Sequence, residues 1–197
     1  MKATSCICGP DDPFLCPPGA QKLDWEAELG VVVGRRAKRV SPAEARACIA
    51  GYCTVLDGSE RDFQMNRGGL WIKGKSYESF GPRGPWLVTA DEVPNPQALA
   101  IRLEVNGERM QDGNTAEMIV DVATLVSHLS EFMTLLPGDV IATGTPEEIA
   151  ANPASHTGRF LAKLLPASKA ARGSQPAATA RPDELPPRKN PRKKASA

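Results

Sequence analysis

The chain has 197 residues, 41% of them hydrophobic, and a formal net charge of +1, which is enough material for one domain with a real core. No run of 18 or more apolar residues occurs, and the opening MKATSCICGPDD lacks an apolar signal core, so neither a membrane-spanning helix nor an export leader is expected, and a cytoplasmic protein is. The near-neutral total hides a split: residues 158–197 carry ten Lys/Arg against Asp183 and Glu184, a balance of +8, whereas residues 1–157 stand at −7.

Residues 1–22, rich in Gly, Pro and Cys, read as loop or short strand. Cys6-x-Cys8 with Cys16 invites a zinc reading, but no fourth ligand follows at finger-like spacing, and the five cysteines are expected to be reduced thiols. LDWEAELGVVVG (23–34) reads as a strand, rich in β-branched residues and closed by Gly34. Glu26 and Glu28 stand two apart, so in a strand both carboxylates project from one face. Two acids beside an apolar wall raise each other's pKa unless something positive lies between them. That leaves an edge strand with its acids in water, or a divalent-cation site that needs a third oxygen ligand.

SPAEARACIAGY (41–52) opens with Ser, Pro and Glu in capping-box order and predicts a helix ending near Gly51. CTVLDGSERDFQ (53–64) reads as a short strand breaking into a loop at Asp57-Gly58, and Trp86–Thr89 as a strand within the loop-rich 74–96. Residues 99–111 alternate around Asn106-Gly107, a hairpin signal, and VDVATLVSHLSEFMTL (120–135) has the spacing of an amphipathic helix. LLPGDVIATGTP (135–146) reads as turn, strand and turn. The sum is a mixed, mainly β domain with two helices over 1–157. Residues 158–197 are Ala/Pro-rich, basic and short of large apolar residues, which predicts a disordered tail with no specific nucleic-acid partner.

Asp57 is the best third ligand, because a loop at a strand end lets its carboxylate reach a neighbouring strand; an Asp-Gly pair is also an ordinary turn. Here WEAELGVVVG, DGSERDFQ, GKSYESFGPRGPWLVTADEV, EVNGERMQDGNT and LLPGDVIATGTP resemble, in order, the catalytic domain of the fumarylacetoacetate hydrolase family, over roughly residues 2–147. The likeness is strongest to the acylpyruvate and diketo sugar-acid hydrolase branch. It implies a β-sandwich roll with a few helices, commonly a homodimer. It also implies Glu26, Glu28 and Asp57 as ligands of Mg²⁺ (or Mn²⁺ or Ca²⁺), and Arg61 and Gln64 as the substrate-contacting R-D-x-Q pair. Lys75 of G-K-S and Thr145 of T-G-T-P are pocket residues in the resemblance, with Lys75 and Arg61 catalytic.

The implied activity is hydrolysis of a C–C bond in a 2,4-dioxo acid through a stabilised enolate. The alternatives are an isomerase, decarboxylase or hydratase of aromatic breakdown on the same fold, or a remnant that only binds metal. Members of this type carry an upstream lid with a histidine and an acid that activate water. This chain reads as starting after that lid, with no family likeness beyond residue 147. Its histidines, His128 in the predicted helix and His156, match no such position, and Leu56 stands where the family usually has Asn.

Overall fold

The computed structural model describes residues 1–143, so Thr145, His156 and the tail expected at 158–197 lie outside the described residues. After a 3-10 turn at Thr4–Cys6 come β1 (Ile7–Cys8), β2 (Leu23–Asp24) and β3 (Ala27–Val33). Helix α1 (Pro42–Ala47) leads into β4 (Ile49–Leu56), β5 (Ser59–Glu60), α2 (Arg61–Asn66) and α3 (Ile72–Lys75). Then follow β6 (Gly81–Pro82), β7 (Val88–Thr89), β8 (Ala100–Val105), β9 (Glu108–Asn114), α4 (Val122–Phe132) and β10 (Val140–Thr143). The class is mixed and mainly β. A four-stranded sheet in the order β10-β3-β4-β7 forms the centre, and its pairings are antiparallel throughout. Among the described residues no helix is long and apolar enough to cross a membrane.

Alternation along β3 divides the domain. Leu29, Val31 and Val33 point to a core completed by Ile49 and Tyr52 of β4, Ala45 of α1, Val122 and Val126 of α4, and Ile141 of β10. Helix α4 fits this core because Val122, Ala123, Val126, Ser127 and Ser130 fall on one stripe and are buried. Asp121 caps it, accepting from the Thr124 N–H at 2.7 Å. The predicted capping box starts α1: Ser41 accepts from the Glu44 N–H, and Glu44 accepts from the Ser41 N–H at 2.8 Å. Asn106 (φ 53°) and Gly107 (φ 82°) both adopt the left-handed conformation that a tight β8–β9 turn demands.

Several boundaries differ from the sequence reading. The helix expected to reach Gly51 stops at Ala47, with Cys48 as its C-cap, and Ile49 already belongs to β4. β-Branched Ile49 and aromatic Tyr52 are captured by the sheet, and Gly51 serves β7 rather than a helix end: a Cβ there would sit 2.1 Å from the Val88 carbonyl oxygen. The 23–34 strand is split, with Trp25 and Glu26 between β2 and β3. Of Trp86–Thr89 only Val88–Thr89 is strand, and Trp86 is exposed. Four α-helices form among the described residues rather than two; α2 begins in the loop expected after Asp57-Gly58, and α3 ends at the start of the loop-rich 74–96.

Candidate metal centre

Glu26 and Glu28 flank Ala27 at the start of β3, on the face opposite Leu29 and Val31, and they are only 6% and 7% exposed. Ala27 is pinned from the hairpin side by the Gln111 side-chain amide. Its N–H donates to Gln111 Oε1 and its carbonyl accepts from Gln111 Nε2, both at 2.8 Å. Pairing of Ala27 with Leu56 brings the end of β4 alongside. The Asp57 N–H donates to the Glu26 carbonyl at 2.8 Å, which holds the third acid against the first two. One carboxylate oxygen from each of Glu26, Glu28 and Asp57 lies within 4.8 Å of the others. The alternative of an edge strand with both acids in water does not describe this arrangement.

Among the described residues three cations surround the acids. Lys75, at the end of α3 and itself buried, donates to Glu26 and, at 2.6 Å, to Asp57. Helix α3 can come this close because residue 74 is glycine: a Cβ there would stand 2.4 Å from the Glu60 carbonyl oxygen. Arg61, the first residue of α2, donates to Glu26, to Asp24 Oδ2 from Nε at 2.7 Å, and to Gln64 Oε1 at 2.9 Å. Lys2 donates to Asp57 and to the Gly58 carbonyl at 2.9 Å. Behind this layer the fully buried Glu60 accepts from the backbone N–H groups of Gln21 (2.8 Å), Lys22 (2.6 Å) and Phe63 (2.5 Å). Glu60 thereby caps α2 and ties it to β2, where Asp24 faces Arg61.

Burial pushes the Glu28 carboxyl up to about 8, with Asp57 and Glu26 adding to the rise and Lys75 only partly opposing it. For Lys75 and Arg61 burial works against the charge, but the adjacent carboxylates more than offset it. Glu26 and Asp57 raise the Lys75 ammonium above its ordinary value, and Glu26 and Asp24 raise Arg61. Both therefore remain cations at neutral pH.

The structure thus brings Glu26, Glu28, Asp57, Arg61, Gln64 and Lys75 into one cluster, with Gln64 only 1% exposed. Lys2, Asp24, Glu60 and Gln111 were missed. Lys2 joins Asp57 across 55 positions and Gln111 joins Ala27 across 84, and no local pattern announces such pairs. Glu60 did carry a signal, an acid immediately before the R-D-x-Q pair. His128 takes no part: it is an exposed residue of α4, 3.9 Å from Glu131 and edge-on to Phe132.

The donor set fits a hard divalent cation, being three carboxylates without soft ligands, two of them buried. Glu28 is the most telling of the three, since no side-chain hydrogen bond or ion pair joins it to another described residue. Glu26, Glu28 and Asp57 would hold the ion; nothing in the cluster selects Mg²⁺ over Mn²⁺ or Ca²⁺.

Comparison with known proteins gives a consistent picture. The profile of the fumarylacetoacetate (FAA) hydrolase C-terminal domain matches residues 1–172, running past residue 147, where the motif likeness ends. A protein of Burkholderia cenocepacia with the provisional name of hydrolase is 58% identical over 145 residues, covering 74% of this chain and 51% of its own length. A Burkholderia ambifaria protein with the same provisional name is 59% identical over 145 residues. The chain spans about half the length of these relatives. Among solved structures, 5-carboxymethyl-2-hydroxymuconate delta-isomerase from Mycobacterium smegmatis is similar at 42% identity and TM-score 0.70, covering 74% of this chain and 57% of the other. The 2-hydroxyhepta-2,4-diene-1,7-dioate isomerase from Mycobacterium marinum follows at 43% and 0.69, covering 74% and 56%.

Proposed function

The chain belongs to the fumarylacetoacetate hydrolase family, and on that premise we propose that it is an enzyme domain that hydrolyses a C–C bond in a 2,4-dioxo acid. The observation that carries this reading is the convergence of three carboxylates, within 4.8 Å of one another, beside the buried Lys75 and the half-buried Arg61. A divalent ion held by Glu26, Glu28 and Asp57 would supply a Lewis acid for the 2-oxo group and for the enolate charge released by cleavage. The chain's own residues bind and orient. Arg61 presents a planar fork suited to a carboxylate, Lys75 a point charge, and Gln64 an amide fixed against Arg61 at 2.9 Å. Thr145 belongs to the same proposal from its motif alone. Cleavage adds water across the bond between the acyl carbon and the methylene, giving pyruvate and the acid of the acyl group.

A second reading is isomerisation of a hydroxymuconate-type diene acid, and it is favoured by the two mycobacterial isomerases at 42% and 43% identity. It uses the same binding residues and differs in breaking no C–C bond. The test is pyruvate release from a panel of acylpyruvates, run beside the ultraviolet absorbance of a conjugated diene acid, with EDTA and then with Mg²⁺ restored. Pyruvate that appears, stops with EDTA and returns with Mg²⁺ is the expected result. A metal-dependent absorbance change without pyruvate selects the isomerase, and silence in both assays refutes the enzyme reading.

A further inference from the structure

Oxygen by oxygen, two of the three clustered acids are already engaged. Glu26 gives Oε1 to Arg61 and Oε2 to Lys75, while Asp57 gives Oδ1 to Lys2 and Oδ2 to Lys75. Among the described residues Lys75 alone touches both acids, and its side chain is 10% exposed. An ion bridging the trio has to take an oxygen from each. An ammonium sharing one of those oxygens would stand within about 5 Å of it. Like charges so close repel strongly where water screens little.

Of the three cations, two have anchors elsewhere. Lys2 also holds the Gly58 carbonyl at 2.9 Å, and Arg61 also holds Asp24 and Gln64. The hydrogen bonds of the Lys75 ammonium go to Glu26 and Asp57. Lys75 is therefore the cation that has to yield.

We propose that Lys75 is the protein's internal stand-in for the ion: it neutralises Glu26 and Asp57 in the metal-free state and is displaced when a divalent cation enters. The inference rests on the metal reading above and deepens it. Ion entry and release of the ammonium are one event, so the charge that meets the carboxylate of an oxo acid is set free only after the ion is seated. The ion then binds first and the oxo acid second.

The test is isothermal titration of the full chain with MgCl₂ at fixed pH and ionic strength, for the wild type, Lys75→Met and Lys75→Arg. Removing a like charge about 5 Å from the ion is expected to tighten Mg²⁺ binding in Lys75→Met by about tenfold or more. Lys75→Arg keeps the charge and stays near the wild type. A wild type that binds Mg²⁺ with a Lys75→Met variant that binds no more tightly overturns the proposal and leaves the metal reading standing. No binding by any of the three removes both. A Lys75→Met chain that folds only with Mg²⁺ present supports displacement. Should it fold in neither condition, acetylation of Lys75 in the wild type by acetic anhydride, read by mass spectrometry against the exposed Lys22, decides. Faster labelling of Lys75 with Mg²⁺ is expected, and an equal or slower rate overturns the proposal.

Discussion

The two faces of β3 are equally buried and chemically opposite. On one, Leu29, Val31 and Val33, at 7%, 0% and 1% exposure, meet the apolar sides of α1 and α4. On the other, Glu28 and the adjoining Glu26, at 7% and 6%, meet Asp57 and a ring of cations. The first face is satisfied by packing alone, whereas the second gathers negative charge that desolvation penalises. The lesson is that one strand anchors the fold with one side and carries the site with the other, so substitutions on the two sides should move stability in opposite directions.

The largest effect is expected on the apolar side. Leu29→Ala removes a buried side chain from the core shared with Val126 and Ile141, and should cost about 3 kcal/mol, within the usual 2–5 for such truncations. The urea midpoint reads the loss. The shift of the thermal midpoint by excess Mg²⁺ should persist, because the acids project from the other face. A loss under about 1 kcal/mol would mean that this face does not anchor the sheet.

On the acid side the sign reverses and depends on pH. Glu28 has its folded-state value raised to about 8 from an ordinary 4.5. The metal-free fold therefore binds a proton that the unfolded chain has lost, and this contribution to stability falls as pH rises from about 5 to 8 and is flat above. Glu28→Gln removes the titration. Without metal the variant should overtake the wild type across that window, by on the order of 1–3 kcal/mol at its upper end, while losing the thermal shift with Mg²⁺. Paired urea titrations at several pH values test this; a gap that stays constant from pH 5 to 8 would show that Glu28 is ionised throughout.

How much of this was legible follows from sequence distance. Glu26 and Glu28 were readable because a period of two puts them on one face whatever lies beyond. Asp57 could be offered as their partner from its place at a strand end, but an Asp-Gly turn reads the same way and the motifs had to decide, since the register of β3 on β4 is a tertiary fact. Helix α2 escaped notice because its cap is Glu60 instead of Ser, Thr, Asp or Asn, and because it is six residues long. The end of α1 was misplaced because Gly51 looks like a helix stop, while its small size answers the close approach of β7. The cations were half visible: Arg61 and Lys75 sit in motifs, but Lys2 and Asp24 meet their partners only once the β2–β5 and β1 regions have folded.

The smallest effect sharpens the contrast by keeping the chemistry and changing only the burial. Arg109 on β9 donates to Glu104 at 2.9 Å and to Asp112 at 3.3 Å, an arginine between two carboxylates much like Arg61 between Glu26 and Asp24. Its side chain is 45% exposed and those of its partners 52% and 50%. Water and salt screen such a group, and the entropy of holding three long side chains offsets what attraction remains. Arg109→Ala should leave the urea midpoint unchanged within error at both low and high salt. A clear loss at low salt that vanishes at high salt would mean that this hairpin depends on its charges. The division would then run between charged and apolar surfaces wherever they lie, rather than between the two buried faces of β3.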